Sequence, residues 1–312
     1  MVINVQKNSK ENLSLLLSFL GCAIFGFSFL FSKQALVVAT PFVLLAVRFF
    51  VAFGILNVLL LTGKFKINLK EKNIKSLLLL GLLQPIIYFI CENFGVKFLA
   101  TSFVGIIISL VPVTSLIFGT IFLKEKATST QVIFIFLSVA GVFLTTLGQG
   151  SGNFSWIGFI LLLGAVCSTS MFNVLSRKLS SEFSAFERTY IMFALGCITF
   201  VGIALVESMG NFQQLIVTPL MNTNFWISIF YLSALSSVGA FFMLNYAMTY
   251  LEVARTSIFA NVTTIISILA GVIFLQESFG IFQLIGSVII LASVYGVNKK
   301  AKPAIPESAS YG

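Results

Sequence analysis

FLATSFVGIIISLVPVTSLIFGTIFLKEKATSTQVIF, residues 98–134, aligns without gaps on YLEVARTSIFANVTTIISILAGVIFLQESFGIFQLIG, residues 250–286, at an offset of 152. Leu99 falls on Leu251, Phe122 on Phe274, Leu123 on Leu275, Glu125 on Glu277 and Gln131 on Gln283; just upstream, Asn93-Phe94 falls on Asn245-Tyr246. Both copies are apolar over more than the ~20 residues that cross a hydrocarbon core as a helix. More weakly, GCAIFGFSFLFSK (21–33) resembles GAVCSTSMFNVLSR (164–177). The chain is therefore an internal duplication of membrane-spanning segments.

Composition agrees. The 312 residues are 58% hydrophobic and only 9% charged, whereas soluble domains carry about 25% charge. Residues 12–32, 98–123, 256–276 and 278–298 are uncharged and long enough to span; 127–176 and 208–251 have room for two segments each. Ten spans result, at about 13–32, 41–62, 76–95, 99–122, 128–147, 154–174, 187–206, 226–247, 255–275 and 280–297, with GQGSGN (148–153) and SRKLSSE (176–182) as polar punctuation. The fold class is an all-α polytopic membrane protein. Residues 13–147 form a first five-helix repeat, 154–297 a second, and 1–12 and 298–312 are tails. The first apolar segment is too long for a signal-peptide core and is read as a retained helix.

Five spans is an odd number, so the second repeat lies upside down relative to the first. Sixteen of the nineteen Lys and Arg fall on the side of the termini, two (Lys33 and Lys97) fall on the other, and Arg48 lies within span two. That asymmetry predicts cytoplasmic termini in the cell membrane. It also explains the net charge of +9 as an orientation signal, with no nucleic-acid partner. The segment 207–224 has no Lys or Arg and suits an external connection with a short interfacial helix. Inverted repeats are the architecture of alternating access, in which two similar halves exchange conformations around a fixed site.

The pattern resembles the drug/metabolite transporter superfamily, and within it the ten-helix EamA-type transporters. The features that carry the likeness are FGFSFLFSKQAL (25–36), TPFVLLAVRF (40–49) and GVKFLATSFVGIIISLVPVTSLIFGTIFLKEK (95–126), with Pro112 in mid-helix and Glu125-Lys126 at its end. Phe25 stands where the family often has Trp, and Thr264 stands opposite Pro112. The resemblance covers about residues 13–298. It implies two inverted five-helix units around a central cavity and secondary transport of small organic solutes, often export.

All ten acidic residues are Glu, and the chain has no His. Glu92 is the one acid placed within the bilayer, and Arg48 the one cation. A charge at mid-membrane costs about 2.5–3.5 kcal/mol on insertion scales, so the two are expected to pair. Glu92 is also the candidate carrier of a coupling proton. Gln84, Tyr88 and Glu92 recur at i, i+4 and i+8 and share a helix face. With Ser109, Asn245, Asn261, Phe25 and Phe29 they make the expected cavity lining. A carboxylate, a guanidinium, amides and aromatics suit an amino acid or related solute bearing amine and carboxylate groups.

No GxxxxGK[ST] motif is present, and no His, Asp or Cys/His constellation for hydrolysis or metal binding. No catalytic residue, metal or cofactor is expected. The four cysteines, all in apolar segments, read as small buried hydrophobes. The expected partners are the bilayer, a small-molecule substrate and protons; the chain fits a monomer or a homodimer. A passive facilitator and an intramembrane enzyme are the alternative classes.

Overall fold

The computed structural model describes residues 2–63, 65–69, 72–122, 128–147, 154–251 and 259–299. Glu125, Lys126 and the GQGSGN linker lie outside them. Among the described residues there is no strand. Ten helical segments follow in order: α1 (Val2–Ala35), α2 (Pro41–Leu61), α3 (Ile74–Phe98), α4 in two pieces (Thr101–Ile108 and Val111–Phe122), α5 (Ser129–Leu147), α6 (Trp156–Leu179), α7 (Ala185–Glu207), α8 (Thr223–Tyr250), α9 (Ala260–Phe274) and α10 (Ile281–Lys299). Eight are long and apolar enough to cross a membrane; Asn261–Phe274 and Ile281–Gly296 are shorter apolar helices. The protein is a multi-pass membrane protein of two inverted five-helix repeats. The connection before α8 holds the expected short helix, over Gln213–Leu220.

Local chemistry sets the ends. Thr40 caps α2, its hydroxyl accepting from Val43 N, and Pro41 takes the first turn, where no N–H is required. Ser184 and Glu187 form a reciprocal capping box at the start of α7. The duplication is visible at the α3 and α8 ends. Leu99 and Leu251 both turn extended as C-caps, at φ/ψ of −127/164 and −110/149, and bond back to Gly95 and Ala247 at 2.9 and 2.8 Å.

The two repeats also share a distortion. α3 winds as a π-helix over Leu82–Ile87, and α8 does so over Tyr231–Ala240, which contains the positions matching at offset 152. In α3 the cause is Pro85, which lacks an N–H and pushes Gln84 extended (φ −145, ψ 117). The carbonyl of Leu83 is satisfied instead by Ser168 Oγ of α6, at 2.6 Å. α4 is interrupted at Ser109 and Leu110, and Pro112 sits two residues into the restart.

Two apolar clusters hold the bundle. One gathers Phe49, Phe89, Phe193, Phe200 and Phe241 from α2, α3, α7 and α8. The other gathers Phe103, Ile106, Val166, Leu162 and Ile290 from α4, α6 and α10. α9 is tied to α1 by Thr263 Oγ1 on the Cys22 carbonyl (2.8 Å) and to α4 by Thr264 Oγ1 on the Gly105 carbonyl (3.0 Å). α5 and α10 meet through glycine: a Cβ on Gly286 would lie 2.6 Å from the Gly141 carbonyl oxygen. The outer faces are apolar, with Phe50, Phe136, Ile198 and Phe230 exposed, and Trp156 and Trp226 exposed near helix starts, as a lipid-facing surface with interfacial aromatics requires.

Candidate functional site

Between the two clusters lies a cavity of about 750 Å³, including the space at its opening. Its walls come from both repeats. α1 gives Phe25 and Phe29, and α3 gives Gln84 and Tyr88. α6 gives Thr169, Phe172 and Asn173, while α8 gives Phe241, Leu244, Asn245 and Met248. Breaks in spanning helices beside a mid-bundle cavity are how membrane carriers expose polar groups without exposing backbone to lipid. Here the break places Gln84 on the wall, 5% exposed.

Five of the residues expected from the sequence line this cavity: Phe25, Phe29, Gln84, Tyr88 and Asn245. Phe25 packs edge-on against Phe241, with centroids 5.1 Å apart. Asn245 is held: its Nδ2 donates to Thr189 Oγ1 at 2.9 Å, and its Oδ1 accepts from Ser176 Oγ at 3.1 Å. The other four stand elsewhere. Ser109 is fully buried, with its hydroxyl on the Ile106 carbonyl at 2.6 Å. Asn261 is half-buried, with its Oδ1 buried and unpartnered. Arg48 and Glu92, each 1% exposed, are outside the lining.

Arg48 and Glu92 do not form the expected ion pair, since no nitrogen of Arg48 lies within 4.0 Å of the carboxylate. Each has found another partner. Arg48 Nε donates to Ser237 Oγ (2.8 Å) and one terminal nitrogen to Ser236 Oγ (3.1 Å). The π-wound turn of α8 carries both serines. The guanidinium lies 4.3 Å over the Phe89 ring, and its Nη1 is buried without a partner. Glu92 Oε2 accepts from the side chain of the adjacent Asn93. α3 continues to Phe98, so Glu92 sits well inside a helix and one turn beyond the cavity-lining Tyr88.

A second buried arginine, counted in the sequence among cytoplasmic cations, lies in the interior. Arg188 is 0% exposed. It donates to the Ser176 carbonyl and hydroxyl at 2.7 Å, to the Asn245 carbonyl at 2.9 Å and to Thr249 Oγ1 at 3.0 Å. It thereby braces the end of α8 from which Asn245 reaches the cavity. Thr169 and Asn173 were likewise not anticipated. The signal for them was the weak α1/α6 repeat, which lays them on Phe25 and Phe29. Of the cysteines, Cys22 is buried and lines the cavity, Cys91 and Cys197 are half-buried, and Cys167, expected to be buried, is exposed.

The family model described as the EamA-like transporter family matches residues 12–147 and 156–299. "Uncharacterized transporter YcxC" of Bacillus subtilis is 36% identical over 295 residues, covering 91% of this chain and 93% of that protein. An "Uncharacterized transporter" of Archaeoglobus fulgidus is 24% identical over 277 residues, covering 88% and 95%. A solved crystal structure superposes with a TM-score of 0.65 at 15% identity, covering 91% of this chain and 95% of its own; this is a likeness of fold.

Proposed function

Because the chain belongs to the EamA-like transporter family, we propose that this transporter is a secondary carrier exporting small organic solutes bearing amine and carboxylate groups, amino acids among them, across the cytoplasmic membrane. It works by alternating access, with both termini in the cytoplasm. The observation that carries the reading is a matched distortion: α3 and α8 both wind as π-helix at positions 152 residues apart, and in α3 the break at Gln84 turns that residue into a cavity walled by both repeats. Two halves with the same weak point can exchange conformations about a common site.

Proton coupling is assigned to Glu92. The carboxyl is buried one turn from the cavity wall, with an amide as its partner and no cation in contact. Such a group can take up and release a proton as the surrounding helices open to one face or the other.

The experiment is flux in liposomes reconstituted with the purified protein, using radiolabelled L-leucine under an imposed pH gradient. Accumulation against the leucine gradient is expected. Downhill flux alone would reduce the protein to a facilitator. Absence of flux for leucine and for a wider amino-acid panel would overturn the reading.

A further inference from the structure

We propose that the cavity holds its solute in one orientation, with a hydrogen-bonding head of no net charge against Gln84, Thr169 and Asn173, and an apolar body against Phe25 and Phe29. The proposal rests on the transport reading for taking this cavity as the solute site.

The register of the duplication supplies the first observation. Lys33 at the end of α1 donates to the carbonyls of Val96 (2.7 Å) and Leu99 (2.9 Å), at the end of α3. Arg177 at the end of α6 donates to the carbonyls of Met248 (2.6 Å) and Thr249 (3.0 Å), at the end of α8. Val96 and Met248 match at the 152 offset, so Lys33 and Arg177 are equivalent, and α1 overlays α6 at an offset of 144. That overlay puts Phe25 on Thr169 and Phe29 on Asn173. All four line the cavity. The same two wall positions, one turn apart, carry two aromatic rings in one repeat and a hydroxyl and an amide in the other.

The second observation is that the polar wall is unsatisfied. Thr169 Oγ1 is buried with no partner. The side chains of Gln84 and Asn173 make no hydrogen bond to a described residue. A buried hydroxyl without a partner is uncommon, and beside Thr169 the amides of Gln84 and the half-buried Asn173 are free of protein partners and open to the cavity; together the three are partners held for a ligand. They are also neighbours, because the bond from Ser168 Oγ to the Leu83 carbonyl fixes the residue before Thr169 against the residue before Gln84.

The third is charge. No residue among the described lining is charged. Amides and a hydroxyl offer donors and acceptors but no counter-charge, and enclosing a net charge without one is costly. The head must therefore be uncharged or internally compensated, as in an amide or an aminocarboxylate. The body faces Phe25, Phe29, Phe172 and Phe241.

Four solutes with one branched apolar body test this: 4-methylpentanamide, L-leucine, 4-methylpentanoate and 3-methylbutylamine. The readout is the thermal stability of the purified full-length protein at millimolar solute. The amide and leucine should raise it, and the anion and the amine should not. Thr169→Val, nearly isosteric, should weaken the amide about tenfold, as the loss of one buried hydrogen bond does. Asn173→Asp should gain binding of the amine, a readout that a misfolded variant cannot give. Charged members stabilising as well as neutral ones, no gain of amine by N173D, or no stabilisation by any of the four would overturn the proposal. Leucine flux without this selectivity would sink the orientation and leave transport standing; this selectivity without flux would do the reverse.

Discussion

Lys33 and Arg177 perform one task at opposite faces of the bundle. Each closes the end of a neighbouring helix by donating to its last carbonyls, Lys33 on α3 and Arg177 on α8. A cation at a helix C-terminus also meets the negative end of the helix dipole. Both ties exist together in one conformation, so they are not alternating gates. Each makes a rigid arm of two helices within its own repeat. Lys33→Met and Arg177→Met should each cost about 1–3 kcal/mol, the price of stranding buried carbonyls. Because the sites are far apart, the double variant should lose the sum. Thermal unfolding in detergent measures all three, and marked non-additivity would mean that the two arms are coupled.

Glu277 joins the two repeats. Its carboxylate, on the α9–α10 connection, accepts from Thr101 N (2.6 Å) and Ser102 N (2.9 Å) at the start of α4. An anion there satisfies two unpaired N–H groups and favours the helix dipole. A tie across repeats on one face must break when that face opens. Glu277→Gln keeps one acceptor, loses the charge, and should shift the balance toward opening by about 1.4 kcal/mol, or tenfold. Cys22 lines the cavity and reports access. With the other three cysteines replaced by serine, its maleimide labelling from the Glu277 face should rise about tenfold. Unchanged labelling would make Glu277 a static cap.

Much of this was legible in the residues. Apolar length and the 152-residue repeat determine helix number and inversion, because hydrocarbon leaves a backbone few alternatives. Pro85 breaks α3 at Gln84, where the i, i+4 and i+8 spacing of Gln84, Tyr88 and Glu92 reads as one face of an unbroken helix. The matching π-winding in α8 has no proline and no local signal in the sequence. The cost of a charge in the membrane says that Arg48 and Glu92 need partners, not which ones: Arg48 takes Ser236 and Ser237 from the π-wound turn of α8, and Glu92 takes Asn93, its neighbour in sequence. Thr169 and Asn173 look like ordinary helix cement until α1 is laid on α6. Arg188 follows the first turn of α7 and reads as a flank cation, since nothing local shows that its donors turn inward to carbonyls.

Arg188 should be among the least replaceable residues away from the cavity wall. Its guanidinium spans α6 and α8 through several donors at once. A lysine has three donors on a single atom and cannot reproduce that fork. Arg188→Lys should therefore leave buried acceptors unpaired and cost about 2–4 kcal/mol. Because Asn245 is positioned from the same turn, leucine binding should weaken as well. A variant with wild-type melting and affinity would show the contacts to be dispensable.

Glu92→Gln separates coupling from folding. A glutamine can still accept from Asn93 Nδ2 through its carbonyl oxygen and occupies the same volume, so the contact that holds Glu92 survives. Its thermal stability should not fall below that of wild type, because the neutral amide keeps the contact and removes a buried charge that has no cation beside it. What it cannot do is load and unload a proton. In liposomes E92Q should exchange labelled for unlabelled leucine at a rate close to wild type, while accumulation driven by a pH gradient is lost. Full retention of pH-driven accumulation would remove Glu92 from the coupling step. Loss of exchange together with accumulation would instead assign the carboxyl to the conformational change itself.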